Sequence, residues 1–172
     1  MGNRMKQCGM TLLEVLIVIG IMGVLMAITY PSIMNSLETR NLDNSARGIE
    51  TSLQQARYRA VDAKISHRIR FYQNGSVWWY ALENETATNV WSPVAGVPAK
   101  SITATYVVTV NLPTVSGVKA VEFSPVGIIQ GFSSTQNTVT LQNTTLKTKN
   151  QPDLRILQMY QGGSIRYVRT SS

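Results

Sequence analysis

The chain has 172 residues and a formal charge of +7, from 16 Lys and Arg against 9 Asp and Glu, with 44% apolar and only 15% charged residues. That balance excludes a highly charged disordered chain, and the length suits one globular domain. A single cysteine (Cys8) and a single histidine (His67) exclude a disulfide framework, zinc fingers, iron–sulfur sites and His-rich metal centres, and no D-x-D-x-D-G run offers a calcium loop. No metal or cofactor is expected.

The chain opens with a polar leader, Met1 to Gly9, that carries Arg4 and Lys6 and no acid. From Val15 to Tyr30 sixteen residues are uncharged, and the uncharged run continues to Leu37, twenty-three residues in all. As a helix this run measures about 35 Å at about 1.5 Å per residue, enough for a hydrocarbon core of about 30 Å. The positive-inside rule places the leader in the cytoplasm and the rest of the chain across the membrane. A cleaved secretory signal fits poorly, because it needs a small-residue site just after an apolar run of about 7–15 residues. Here the run is longer and meets Thr29, Tyr30 and Pro31. A plain signal anchor explains the hydrophobicity but not Glu14, since a carboxylate costs about 2.5–3.5 kcal/mol at mid-membrane and less near an end.

The string Gly9-Met10-Thr11-Leu12-Leu13-Glu14-Val15-Leu16-Ile17 resembles the class III signal of type IV prepilins and type II secretion pseudopilins. The resemblance implies cleavage by a prepilin peptidase after Gly9, N-methylation of Met10, and an assembly role for Glu14 as the fifth residue of the mature chain. Most of that family have Phe where this chain has Met10. The chemistry is coherent: the cut removes Arg4, Lys6 and Cys8, keeps the anchor, and frees an α-amine. Glu14 can pair with that amine on a neighbouring subunit, which sets an axial register. Pro31, near the outer end of the segment, is expected to kink the helix rather than end it. The residues before Cys8 are Met5, Lys6 and Gln7, so no lipoprotein box is present. Without its first nine residues the 172-residue chain has no cysteine, hence no C-terminal disulfide loop of the kind many major pilins carry, and the subunit reads as minor.

Beyond Pro31 the pattern turns amphipathic: Leu42, Ala46, Ile49, Leu53, Ala56 and Ala60 recur at helical spacing, with charges of both signs between them. The stripe predicts a sheet lying across this half of the helix. After Ser66 the period becomes two. Residues 68–72 and 77–81 flank Asn74-Gly75, which predicts a hairpin with a type I′ turn. Ile102–Leu112, Val118–Phe123, Thr138–Leu141, Leu154–Tyr160 and Ile165–Val168 are further strand candidates. Segments 84–100 and 124–136 read as loops, and Gln161-Gly162-Gly163 closes a last hairpin. The fold class is therefore α+β, one long N-terminal helix on an antiparallel sheet domain, divided as 1–9 leader, 10–37 membrane and filament-core helix, and 38–172 periplasmic domain.

Gln54–Ala60 (QQARYRA) in the helix, the early hairpin, Phe123-Ser124-Pro125-Val126-Gly127 and the final hairpin from Arg155 to Arg166 resemble the H-type minor pseudopilins and minor pilins, the GspH/FimT group. The resemblance implies a non-enzymatic subunit of a type IV pilus or type II secretion pseudopilus, near the tip or priming complex. Its partners would be a prepilin peptidase, other pilins or pseudopilins and an inner-membrane assembly platform. It would reside in the bacterial inner membrane as a single-pass protein and then in the filament.

Some members of that group bind DNA, and Lys147, Lys149, Arg155, Arg166 and Arg169 against Asp153 make the last 26 residues +4. Such charge suits phosphates, and Tyr160 and Tyr167 suit exposed bases. The DNA-binding members carry a G-R-x-R pattern where this chain has Gly163-Ser164-Ile165-Arg166, so only one arginine is matched. The alternatives to plain assembly are thus a DNA-binding minor pilin, or a signal-anchored periplasmic domain. His67, Ser66 and Asp62 have triad residue types but no visible pocket or oxyanion hole, so no catalytic residue is assigned. Of Trp78 and Trp79, adjacent on a strand, one is expected to face the core and the other to point away.

Overall fold

The computed structural model describes residues 10–115 and 117–172. The leader, including Gly9, lies outside the described residues. The chain divides between Leu37 and Glu38 into two units. The first holds the beginning of helix α1 (Leu12–Ala63), which runs unbroken past Pro31. Proline therefore does not end the helix here. The second unit holds the rest of α1 and all the strands.

From Leu42 onward, the six stripe residues Leu42, Ala46, Ile49, Leu53, Ala56 and Ala60 are each 0% exposed. The three alanines keep one side of the helix narrow, so strands approach closely. At Gly48 even a Cβ would stand 3.4 Å from the Tyr80 hydroxyl. Lys64 stops the helix by adopting a positive φ of 54°, and Ser66 leads into the first strand.

Eleven strands follow in the described residues: β1 (His67–Asn74), β2 (Val77–Ala87), β3 (Val90–Pro93), β4 (Lys100–Ser101), β5 (Tyr106–Asn111), β6 (Thr114–Val115), β7 (Val118–Phe123), β8 (Ile129–Gln130), β9 (Thr138–Asn143), β10 (Leu154–Met159) and β11 (Ile165–Thr170). They form two antiparallel sheets rather than one. The first runs β3-β2-β1-β7-β6, with β4 on β2 and β8 on β7; the second runs β11-β10-β9-β5. Ile69, Phe71, Leu82, Val121 and Phe123 of the first sheet join Val110, Val139, Leu141, Leu157 and Met159 of the second and the helix stripe in one core. Fully burying side chains of this size contributes about 1.5–3 kcal/mol each.

Four local expectations need correction. The first hairpin turns on Gly75 and Ser76, because Asn74 pairs with Val77 and only Gly75 has positive φ; glycine at the first central position is the type II′ pattern, not type I′. Segment 84–100 is only partly loop: β2 runs on through Ala87 and β3 spans Val90–Pro93, leaving residues 94–99 outside any strand. The polar run Glu83-Asn84-Glu85 is strand, with Arg68 Nε donating to Glu83 Oε2 at 2.7 Å and Arg70 lying 2.9 Å from Glu83 Oε1. A cross-strand ion pair satisfies polar side chains that sequence assigns to solvent. Residues 102–112 are not one strand: only Tyr106–Asn111 pairs there. Finally, a short helix α2 (Thr144–Thr148) appears, capped by Asn143, whose Oδ1 accepts from the amides of Thr145 (2.8 Å) and Leu146 (3.3 Å). The same Asn143 donates to Glu38 at 2.7 Å.

Candidate functional site

Two groups of residues carry the functional expectations, one in each unit. In the first unit Thr11 caps α1: its Oγ1 accepts from the Glu14 amide at 3.2 Å. Glu14 thus occupies the third helical position after a threonine, the capping-box spacing, with its carboxylate in the first turn where the helix dipole favours negative charge. This placement stabilises the helix within its own chain, a role that the sequence spacing already displays. Around it the apolar side chains lie bare on every side of the helix. Leu12, Leu16, Ile19, Val24 and Met26 are all more than half exposed. A helix hydrophobic all round requires lipid or other helices about it. Among the described residues no helix is long and apolar enough to cross a membrane. The side chains of Ile28, Pro31 and Ser32 lie outside the description.

In the second unit the basic residues are not brought together. Arg155 is 0% exposed and shares the inward face of β10 with Leu157 and Met159. Its guanidinium pairs with Asp43 on α1 and donates to the carbonyls of Pro152 (3.0 Å) and Leu154 (2.9 Å). Tyr167 donates to the same Asp43 oxygen at 2.7 Å, and the Arg47 guanidinium lies 4.8 Å from the Tyr167 ring centre. Burial alone would raise the Asp43 pKa, but the bonds from Tyr167 and Arg155 and the Arg155 charge outweigh it and hold the carboxyl below its ordinary value. Burial and the bond to Asp43 push Tyr167 up to about 12. Arg155 is therefore removed from the candidate DNA contacts; it fastens the second sheet to the helix.

Arg166 and Arg169 are both exposed but belong to opposite faces of β11, Arg169 standing across from Arg155 and Arg166 across from Gln158. Lys147 and Lys149, both exposed, sit on and just after α2. His67 is buried, with Nδ1 3.0 Å from the Ile65 carbonyl. A backbone contact, not a catalytic partner, thus occupies its ring nitrogen. Trp78 packs partly against the core, as one of the adjacent tryptophans was expected to.

Comparison with known proteins gives three likenesses. The family profile of the prokaryotic N-terminal methylation motif matches residues 4–30. A curated relative, the pilin-like protein PilA1 of Thermus thermophilus, is 29% identical over 89 residues, 52% of this chain. The match spans only 56% of that relative. Two crystal structures of the type IV minor pilin FimU of Pseudomonas aeruginosa share the fold at 19% identity. One has a TM-score of 0.52 and covers 76% of this chain and 90% of that one; the other has 0.50, with 73% and 91%. The helix packed on antiparallel sheets is thus the fold of that minor pilin, and the N-terminal methylation motif extends into the first half of the same helix.

Proposed function

We propose that the chain is a minor subunit of a type IV pilus, made as a prepilin, cut after Gly9 by a prepilin peptidase and methylated at Met10. The methylation motif over residues 4–30 is the observation that supports this reading most directly. The mature chain is held in the inner membrane as a single-pass protein by the uncharged run from Val15 to Leu37, with residues 38–172 in the periplasm. An assembly platform then lifts it into a filament with other pilins, where the bare apolar helix exchanges lipid for neighbouring helices. Glu14 acts twice, first as part of the helix cap and then as partner of a neighbour's terminal amine. The fold serves assembly, and no catalytic step is assigned to it.

A type II secretion pseudopilus would use the same signal and the same helix; the minor-pilin likeness favours the pilus. DNA uptake is less favoured, because its arginine set has lost Arg155 to the core and divides Arg166 from Arg169 across the strand. The intact mass of the chain recovered from the cell tests the central reading. A mass that begins at methylated Met10 is expected, and an intact Met1 or a start near Tyr30 overturns it.

A further inference from the structure

The far end of α1 within the second unit carries a surface that the assembly helix does not use. Residues 54–65, at the end of α1 and just past it, the 124–128 turn and the 160–165 turn converge there. Gln54, Arg57, Tyr58, Val61, Ser164 and Ile165 line a groove of about 560 Å³. Two glycines set its depth. A Cβ on Gly163, whose φ is 79°, would run into the Gly127 carbonyl oxygen, and one on Gly127 would meet Val61 at 3.0 Å. Arg57 fixes the join by donating from Nε to the Gly127 carbonyl at 3.0 Å.

Apolar side chains gather round this join and stand in solvent: Tyr58 is 70% exposed and Val126 75%, with Val61, Ile65, Ile128 and Tyr160 between 37% and 49%. Exposed apolar side chains grouped in this way mark a contact site. The chemistry of the occupant follows from charge. The three segments hold Arg57, Arg59 and Lys64 against Asp62 alone. A second copy of this +7 chain meets that surface with like charge. Nucleic acid draws its affinity mainly from phosphate neutralisation, whereas this groove sets Tyr58, Val61 and Ile165 around one arginine. Aromatics and arginine with few other charges are the composition of a protein-interface core.

On the reading that the chain assembles among other subunits, we propose that this groove docks an acidic segment with apolar side chains from a different protein subunit. The helix apex, with its fixed glycine floor, would then choose the neighbour, while the N-terminal helix supplies only general filament cohesion.

The test uses the full chain in cells, with Cys8→Ser and Tyr58→Cys, the new thiol carrying a benzophenone photo-cross-linker. The expected result is one adduct with another filament subunit, joined within a carboxylate-bearing segment. Val61→Asp should reduce it at least fivefold, and Val61→Lys should leave it intact. Both changes are at a half-exposed position and spare the core. An adduct of twice the chain's own mass, an adduct with DNA, no adduct, or equal yields from Val61→Asp and Val61→Lys overturns the proposal. Filament incorporation of the unlabelled wild-type chain is scored separately. Its absence refutes the pilin reading itself, whereas incorporation without the expected adduct refutes only the docking site.

Discussion

Asp43→Ala is the sharpest test of how the second sheet is held to the helix. It leaves Arg155 with its guanidinium wholly buried, retaining only the Pro152 and Leu154 carbonyls, and strips Tyr167 of its acceptor. One guanidinium nitrogen, Nη2, already lacks a partner. Removing one member of a buried ion pair costs about 3–5 kcal/mol, because the other charge stays behind uncompensated. The Asp43 side chain is 26% exposed, so water can enter from its side. The lower end, about 3 kcal/mol, is therefore expected. The double variant Asp43→Ala with Arg155→Met removes both charges and keeps the volume, and should recover most of the loss. Thermal and denaturant unfolding of the full chain in mild detergent, followed by near-UV circular dichroism, reads both. A single-variant loss below about 1 kcal/mol, or a double variant no better than the single, would show that the pair is surface-like. The pH dependence has a fixed sign. The Asp43 pKa is lowered in the folded chain, so its contribution is complete above the unfolded value near 3.8 and disappears as pH falls through the folded value. Neutral pH should show no transition from this group.

Gly163→Ala should destabilise the second unit by about 1–3 kcal/mol through overpacking and positive φ, and a melting point within a degree of wild type would refute the close approach. Glu14→Ala should leave cleavage after Gly9 intact while sharply reducing incorporation into filaments, scored by immunoblot of sheared fibres against the membrane fraction. Undiminished incorporation would remove the register role. In gel shifts, the scattered placement of the exposed cations predicts no salt-sensitive DNA binding. A shift abolished by Arg166→Ala would restore that reading.

The helix and its buried face were legible because both depend on periodicity: a stripe at steps of three and four can face only one way, and all six of its members are buried. The strands from 118 to 123 and 154 to 170 were legible for the same reason at period two. What escaped the sequence were features created by distant partners. Glu83 sits in a strand with Arg68 directly across from it and Arg70 on the diagonal, both paired with its carboxylate, and Asn143 caps a helix five residues long that no apolar period announces.

Arg155 shows where a general rule of charge misleads and a local one does not. Its type assigned it to the surface, yet alternation along Leu154–Met159 already put it on the side of Leu157 and Met159, facing a helix that carries Asp43 one residue after Leu42. A charged residue at an inward position of a strand demands an opposite charge on whatever packs above it. Applied to β11, the same alternation aligns Tyr167 with Arg155 and turns Arg166 outward, so the one arginine that matches the G-R-x-R pattern is also one that the fold leaves in solvent. Contact with DNA thus requires Arg166 to act with exposed cations elsewhere on the surface, and neither β10 nor β11 supplies a second on its face.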